Sequence, residues 1–239
     1  MNAFLDSLSY LSFDGGWGWN LVRGLAATLQ IALGAFALGL AIGLAGALGK
    51  LHGSAPLRWL LELYTTLIRA VPELVLILLL YYAGTQLINE LLALFGQRPI
   101  DISGLVAGIV VLGIVQGAYA TEVIRGAMRS VPRGQLEAAA AFGMRPSQVL
   151  RRITIPAMIP FALPGLANLW LIVMKDTALL AVVGFTELAM TTRQAAGSTR
   201  AYFMFFLVAA CIYLALTLLS NVLFRFLERR ARRGQPRLA

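Results

Sequence analysis

Long apolar stretches separated by short polar segments dominate the pattern along the chain. A helix needs about 20 mostly apolar residues to cross the hydrocarbon layer of a bilayer. Five stretches have this character, at residues 20–48, 57–94, 103–124, 156–183 and 202–226. The pattern therefore predicts an all-α integral membrane protein with about five transmembrane helices, forming a single domain over residues 1–239.

The second stretch is too long for one simple span. Pro72 interrupts it between Arg69 and Glu73. Because proline removes a backbone donor and kinks a helix, we expect a helix that is kinked near residue 72. If the helix continues through the proline, Arg69 and Glu73 share a face, since they are four residues apart.

Small residues mark the first span and polar residues mark its end. Gly39 and Gly43 form a small-xxx-small pair, which lets helix backbones approach closely in lipid. Lys50 and His52 are then expected to lie in a short loop. His52 is the only histidine, so a cluster of histidine metal ligands is excluded, and the lone Cys211 excludes an internal disulfide.

The composition supports a membrane protein. Of the 239 residues 59% are hydrophobic and 13% are charged, whereas soluble domains have roughly 25% charged residues. The net charge of +9 would suggest nucleic acid as the partner of a soluble protein. In a membrane protein the same excess usually comes from cytoplasmic loops, so we expect a lipid environment and no nucleic acid.

The distribution of basic residues predicts the orientation. If five spans alternate, most of the 20 Lys and Arg residues fall on one side, in the loops around residues 50–58 and 125–152 and in the tail after residue 225. The positive-inside rule then places the N-terminus outside and the C-terminus in the cytoplasm. Residues 1–16 contain no Lys or Arg, so no basic signal-peptide region is evident and the first span should be retained.

The polar segment at residues 125–155 is expected to form a helix–turn–helix on the cytoplasmic side. Residues 135–142 are alanine-rich and favour a helix. Gly143 suits the helix C-terminus, and Pro146 suits the start of a second short helix. The exposed small residues leave a shallow surface for a partner, although a plain surface hairpin between two spans would show the same pattern.

Ionisable residues also occur within the spans. Such groups are costly in lipid unless they are paired or hydrated, and they are functional candidates by default. The candidates for a substrate pathway are Glu62, Arg69, Glu73, Glu122, Lys175 and Asp176.

Each candidate also has a structural alternative. Glu62 and Glu122 can be interfacial charges at the cytoplasmic ends of their helices, and Arg69 and Glu73 can form an ion pair that stabilises the kink. Lys175 and Asp176 are adjacent, so their side chains point about 100° apart on a helix and should meet different partners.

Several segments resemble one family of transporters. The spacing of Glu137-Ala138-Ala139, Gly143 and Ile153-Thr154-Ile155-Pro156 resembles the loop shared by permease subunits of ATP-binding-cassette (ABC) importers, with Ile155 where the family has Leu. TTLIRAVPELV and MKDTALLAVVGFTEL resemble segments of the polar amino-acid branch, with Ala70 in place of the usual Gly. The resemblance covers about residues 20–230 and is nearest to permeases for histidine, arginine, lysine and ornithine, or for opines.

The resemblance implies a type I ABC importer permease in a bacterial inner membrane. The loop at residues 125–155 would hold a coupling helix, with Glu137, Ala138, Ala139 and Gly143 as the positions that dock on an ATPase. It further implies cytoplasmic ATP-binding subunits, a second permease subunit that is identical or a sister chain, and a periplasmic substrate-binding protein.

An amino-acid substrate needs a site for its carboxylate and acceptors for its ammonium group. Arg69 or Lys175 can supply the first, and Glu73 or Asp176 can supply the second or hold a cationic side chain. Acidic Glu73 beside the proline resembles the systems for basic amino acids, which we therefore expect as substrates.

The chain lacks a G-x-x-x-x-G-K-[ST] phosphate-binding loop. We therefore expect no enzyme activity, cofactor or metal site on this chain, with ATP and Mg on the partner ATPase. Two other classes stay open. One is a secondary transporter or channel that works without an ATPase, and the other is a membrane scaffold that transports nothing.

Overall fold

Helices account for nearly all of the structure. The computed structural model describes residues 8–99 and 103–232. After a 3-10 turn at Leu8–Leu11, the helices are α1 (Gly18–His52), α2 (Ala55–Ala70), α3 (Glu73–Leu94), α4 (Gly104–Arg129), α5 (Arg133–Ala141), α6 (Pro146–Val149), α7 (Ile155–Asp176), α8 (Leu188–Thr199) and α9 (Tyr202–Ala231). A π-helical turn at Leu150–Thr154 joins α6 to α7, and a 3-10 turn at Thr177–Val183 follows α7.

Within residues 8–99 and 103–232, five helical segments are long and apolar enough to cross a membrane. They are α1, α3, α4, the segment Pro146–Val183 that contains α6 and α7, and α9. The prediction of an all-α protein with five spans is confirmed.

The predicted kinked helix at residues 57–94 is instead two helices. Helix α2 ends at Ala70 and α3 begins at Glu73. Val71 has extended backbone angles, φ −99° and ψ 140°, which is the conformation that a following proline favours. Of these two helices, only α3 is apolar enough to span the membrane. Because Arg69 and Glu73 lie on different helices, they do not share the expected helix face.

The core of the bundle is the contact between α1 and α4. Gly39 and Gly43 of the predicted small-xxx-small pair face α4, where a Cβ atom on Gly43 would lie 2.5 Å from the Cβ of Ala120. A Cβ atom on Gly39 would lie 2.9 Å from the Cβ of Gln116. The glycines therefore permit an approach that any larger residue would prevent.

Several helices end beyond the apolar stretches that predict them. Helix α1 continues through Lys50 to His52, and α4 continues through Arg125 to Arg129. The segment at 184–200, which lies between two of the predicted spans, contains α8. Hydropathy marks where lipid ends, whereas backbone hydrogen bonding continues into the interface and decides where a helix ends.

The polar segment at residues 125–155 contains two short helices. Helix α5 ends at Ala141, and Gly143 follows with a φ of +74° in the left-handed region that glycine adopts readily. Helix α6 begins at Pro146. The last residues of the basic tail, 233–239, lie outside the described residues.

Large apolar side chains cover the outer face of α9. Phe203 is 74% exposed and Leu219 is 68% exposed, and only Met204, Phe205 and Ala209 of this helix are buried. An apolar surface of this extent requires lipid or another subunit against it.

Candidate functional site

Polar side chains from three helices meet within the bundle. Glu73 begins α3, Gln116 lies in the middle of α4, and Asp176 ends α7. The Gln116 Nε2 group donates a hydrogen bond to Asp176 Oδ2 at 3.4 Å. The Glu73 carboxyl group lies close enough to Asp176 for the charges of the two groups to interact. We call Glu73, Gln116 and Asp176 the acidic cluster.

The acidic cluster has more acceptors than donors. Gln116 is 1% exposed, and its Oε1 atom has no hydrogen-bond partner in the described part of the chain. A buried polar atom without a partner is costly, which makes such atoms rare in native proteins. Two carboxyl groups and a free amide oxygen suit a bound cation.

Basic and aromatic groups lie at the edge of this cluster. Tyr119, one turn after Gln116, is within electrostatic range of Glu73, Asp176 and Arg69. Arg69 is exposed at the end of α2, and among the described residues it forms no salt bridge with Glu73. Because the chain turns at Pro72, the predicted ion pair across a continuous helix does not form.

Lys175 and Asp176 have different environments, as their adjacent positions predict. Asp176 is 9% exposed and faces the acidic cluster, whereas Lys175 is exposed on the surface of this chain. A cation next to the cluster but outside it can contact a substrate carboxylate or a second subunit.

Glu62 and Glu122 belong to a separate cluster centred on Lys50. Lys50 Nζ lies 2.6 Å from each of three acceptors, which are Glu62 Oε2, Thr65 Oγ1 and Glu122 Oε1. The second oxygen of Glu122 accepts hydrogen bonds from Arg125. We call these five residues the lysine cluster.

The lysine cluster and the acidic cluster occupy different levels of the bundle. Glu122 follows Gln116 by six residues on α4, which corresponds to about 9 Å along the helix axis. The carboxylates of Glu62 and Glu122 are neutralised by Lys50 and Arg125. The structure therefore gives no geometric support to the prediction that Glu62 and Glu122 line the substrate pathway. Lys50 lies in a buried site and not in the predicted loop.

The predicted docking residues lie on and after α5. Glu137, Ala138 and Gly143 are exposed, whereas Ala139 is only 5% exposed and packs against its own chain. Phe142, which the sequence reasoning did not single out, is 88% exposed. An aromatic side chain so exposed on a loop is typical of a protein contact. We therefore add Phe142 to the candidate docking surface, whereas the buried Ala139 is not part of its exposed face.

A buried carboxylate holds α8 at the opposite end of the bundle. Glu187 is fully buried and caps α8 by accepting from the N–H groups of Ala189 at 2.9 Å and Met190 at 2.8 Å. The hydroxyl groups of Thr28 and Tyr213 also donate to it, at 3.2 Å and 3.3 Å. Sequence reasoning missed Glu187, although an acidic residue one position before a helix is a capping signal.

Burial raises the pKa of Glu187 above its ordinary value, and the four donated hydrogen bonds oppose this only in part. The folded protein therefore keeps the Glu187 proton to a higher pH than the unfolded chain does. The free energy of unfolding should fall as the pH rises from 4.5 towards the raised pKa.

A Glu187→Gln variant has no titrating group at this position, so this fall in the free energy of unfolding with pH should disappear. Thermal unfolding in detergent between about pH 4 and pH 8 should show the wild-type Tm losing its advantage over the variant as the pH rises. For a chain of this size, a change of about 1 kcal/mol corresponds to about 2–4 °C in Tm. A Tm difference that stays constant across the range would contradict the prediction.

Open clefts surround the segment that precedes α8. One cleft of about 620 Å³ includes Tyr81 and Phe185 in its lining. A smaller one of about 250 Å³ includes Arg23 and Gln194. Neither is lined by residues of the acidic cluster, whose Gln116 is closed off from solvent in this conformation.

The fold and these sites together define a class of protein. The chain is a multi-pass membrane subunit whose apolar outer faces need lipid or a partner, and it carries an acidic cluster between its spans. Ionisable residues between spans are characteristic of transport pathways, and an exposed helical loop is suited to a cytoplasmic partner.

The comparisons with known proteins identify the family. Residues 20–233 match the family described as "Binding-protein-dependent transport system inner membrane component", and the chain belongs to it. It is therefore a permease subunit of an ABC importer, a membrane component rather than a catalytic subunit, as its resemblance to that family implies.

Similar proteins cover nearly the whole chain. The histidine/lysine/arginine/ornithine transport system permease protein HisQ of Escherichia coli (strain K12) is 43% identical over 93% of this chain and 97% of its own length. The octopine transport system permease protein OccQ of Rhizobium radiobacter is 38% identical over 93% of this chain and 94% of its own length. A crystal structure of an amino acid ABC transporter with histidines matches 95% of this chain and 98% of that chain, with a TM-score of 0.78 and 31% identity.

Proposed function

We propose that this chain forms the membrane pathway of an importer for basic amino acids. The single observation that carries the proposal is the acidic cluster, in which Glu73, Asp176 and the free Oε1 atom of Gln116 offer acceptors to a cation between three helices. A permease with such a site would favour an amino acid with a cationic side chain. The name of the HisQ relative, which specifies histidine, lysine, arginine and ornithine, supports this substrate class.

Arg69 and Lys175 complete the site in this proposal. Both are exposed cations next to acidic-cluster residues, and either can bind the substrate carboxylate. The ammonium group and the cationic side chain would then bind Glu73, Asp176 and Gln116. Glu62 and Glu122 have no direct role in this scheme, because Lys50 and Arg125 already neutralise them.

The energy would come from partner subunits. The chain has no phosphate-binding loop of its own, and the exposed Glu137, Ala138, Phe142 and Gly143 offer a docking surface for a cytoplasmic ATP-binding subunit that holds ATP and Mg. A second permease, identical or a sister chain, would cover the apolar faces that this chain leaves exposed. A periplasmic binding protein would deliver the substrate.

The proposed orientation follows the basic residues. The end of the bundle that carries Lys50, Arg58 and the segment formed by α5 and α6, which we call the α5–α6 loop, would face the cytoplasm together with the C-terminus. The N-terminus and α8 would face the periplasm. Closure of the ATPase pair would then move the α5–α6 loops and open the pathway outward.

Opines form a second candidate substrate class. The observation that favours them is the similarity to the octopine permease OccQ, which extends over 93% of this chain. A direct comparison of arginine, lysine, histidine and ornithine with octopine would separate the two classes.

The test uses the complete complex in liposomes with its own binding protein. ATP hydrolysis and uptake of labelled substrate should rise when the binding protein carries arginine or another basic amino acid, and they should not rise with empty binding protein. Stimulation by octopine alone would assign the opine class. Uptake without any ATP-binding subunit would overturn the importer assignment in favour of a secondary transporter.

A further inference from the structure

The lysine cluster connects the two regions that an importer must coordinate. Lys50 lies in the last turn of α1, Glu62 and Thr65 lie on α2, and Glu122 and Arg125 lie on α4. Its charges lie at the end of the bundle from which α4 leads directly into the α5–α6 loop. The cluster therefore joins three helices at one point.

Lys50 is matched to its surroundings in both geometry and charge. Its side chain is 4% exposed, and its Nζ group lies 2.6 Å from three acceptors, one for each of its three N–H donors. Burial of an ammonium group is costly unless every donor is paired. The complete set of partners explains how the charge is tolerated there.

The lysine cluster holds α2 in place. Helix α2 has two buried residues, Thr65 and Ile68, and Ile68 packs against Val115 and Ala118 of α4. Thr65 is itself a partner of Lys50. Lys50 therefore adds a polar contact between α2 and α4 to this apolar one.

The far ends of the joined helices reach the acidic cluster. Helix α2 ends at Ala70, directly before the turn at Pro72 that starts α3 at Glu73. Helix α4 carries Gln116 six residues before Glu122 and ends four residues after Arg125, at Arg129. The lysine cluster therefore lies between the α5–α6 loop and the acidic-cluster residues Glu73 and Gln116.

We infer that Lys50 is the positioning residue that couples the α5–α6 loop to the acidic cluster, by holding α2 and α4 together through Glu62, Thr65 and Glu122. This inference rests on the proposed function. Lys50 does not contact the substrate in this scheme. It transmits the movement of α4 to α2 and so to the turn at Pro72.

The experiment compares variants of the complete complex in liposomes, with ATP hydrolysis measured with and without arginine-loaded binding protein. Lys50→Met keeps the length of the side chain and removes its charge. We expect the stimulation of hydrolysis to fall about tenfold, within the range usual for coupling between two sites, while the ATP-binding subunits still co-purify. Lys50→Arg, which keeps the charge, should restore most of the stimulation.

Two further variants separate coupling from folding. Arg58→Met removes a positive charge from the exposed side chain of Arg58, at the same end of the bundle, and should leave stimulation unchanged. Lys50→Met combined with Glu62→Gln removes one charge of each sign and leaves the Glu122–Arg125 pair intact, so no buried charge is left unpaired. If the complex with Lys50→Met alone does not assemble, the stimulation of ATP hydrolysis in the complex with the double variant tests the inference.

The outcomes are distinct from those of the functional proposal. Loss of stimulation in an assembled Lys50→Met or double variant, with rescue by Lys50→Arg, supports the inference. Stimulation equal to the wild type in either assembled variant overturns it. Absence of stimulation in the wild type itself would instead overturn the proposed function.

Discussion

A Glu137→Lys substitution is expected to reduce the stimulation of ATP hydrolysis by loaded binding protein at least about tenfold. Glu137 is exposed on α5, beside Ala138 and five residues before the exposed Phe142. Its side chain forms no salt bridge among the described residues, so its replacement breaks no ion pair there. If the α5–α6 loop docks on an ATP-binding subunit, reversal of this charge places a repulsive group in the contact.

The measurement is co-purification of the ATP-binding subunit together with hydrolysis by the reconstituted complex. Charge reversal at a docking contact usually costs several kcal/mol, so a reduction of at least about tenfold is expected, which corresponds to about 1.4 kcal/mol. Gln135→Lys is the matched control, because it introduces the same residue two positions earlier on the same helix, on a different face. Equal losses in both variants would indicate a general charge effect and contradict a specific docking role for Glu137.

An Asp176→Asn substitution is expected to weaken the binding of basic amino acids by tenfold or more, about 1.4 kcal/mol. Asp176 is 9% exposed and carries one of the two carboxyl groups of the acidic cluster. Asparagine keeps the shape of the side chain and can still accept the hydrogen bond from Gln116 Nε2, so the local packing should persist. Only the negative charge that would face a cationic substrate is lost.

Equilibrium binding of labelled arginine to the purified complex gives the affinity directly, and Glu73→Gln should have an effect in the same direction. Glu90→Gln is the control, since Glu90 is an exposed residue of α3 whose carboxylate bonds only to nearby Gln86 among the contacts described for it. Unchanged arginine affinity in both Asp176→Asn and Glu73→Gln would remove the basis for assigning basic amino acids. A similar loss in Glu90→Gln would show that net charge, not the cluster, governs binding.

Both predictions concern residues that the sequence identified, but for different reasons. Glu137 was found from the spacing of a local segment that resembles a known family. Asp176 was found because an ionisable residue within an apolar span is exceptional. Neither signal shows whether a side chain faces the protein or the solvent, and the structure alone shows that Ala139 is buried while its neighbours Glu137 and Ala138 are exposed.

The sequence by itself determined the class of fold and the five spans. Apolar length and the small-xxx-small pair at Gly39 and Gly43 are local properties that lipid and close helix packing impose directly. The helix end at Gly143 and the helix start at Pro146 also follow from local backbone preferences. These features do not depend on distant parts of the chain.

Only the tertiary structure decided which polar groups pair. Lys50 meets Glu122 across 72 positions of sequence, Gln116 meets Asp176 across 60, and Thr28 meets Glu187 across 159. A buried charge or amide is tolerated only with its partners, and helix packing, not local preference, selects them. Hydropathy therefore singled out Glu122 and Asp176, whereas packing assigned Glu122 to Lys50 and Asp176 to Gln116.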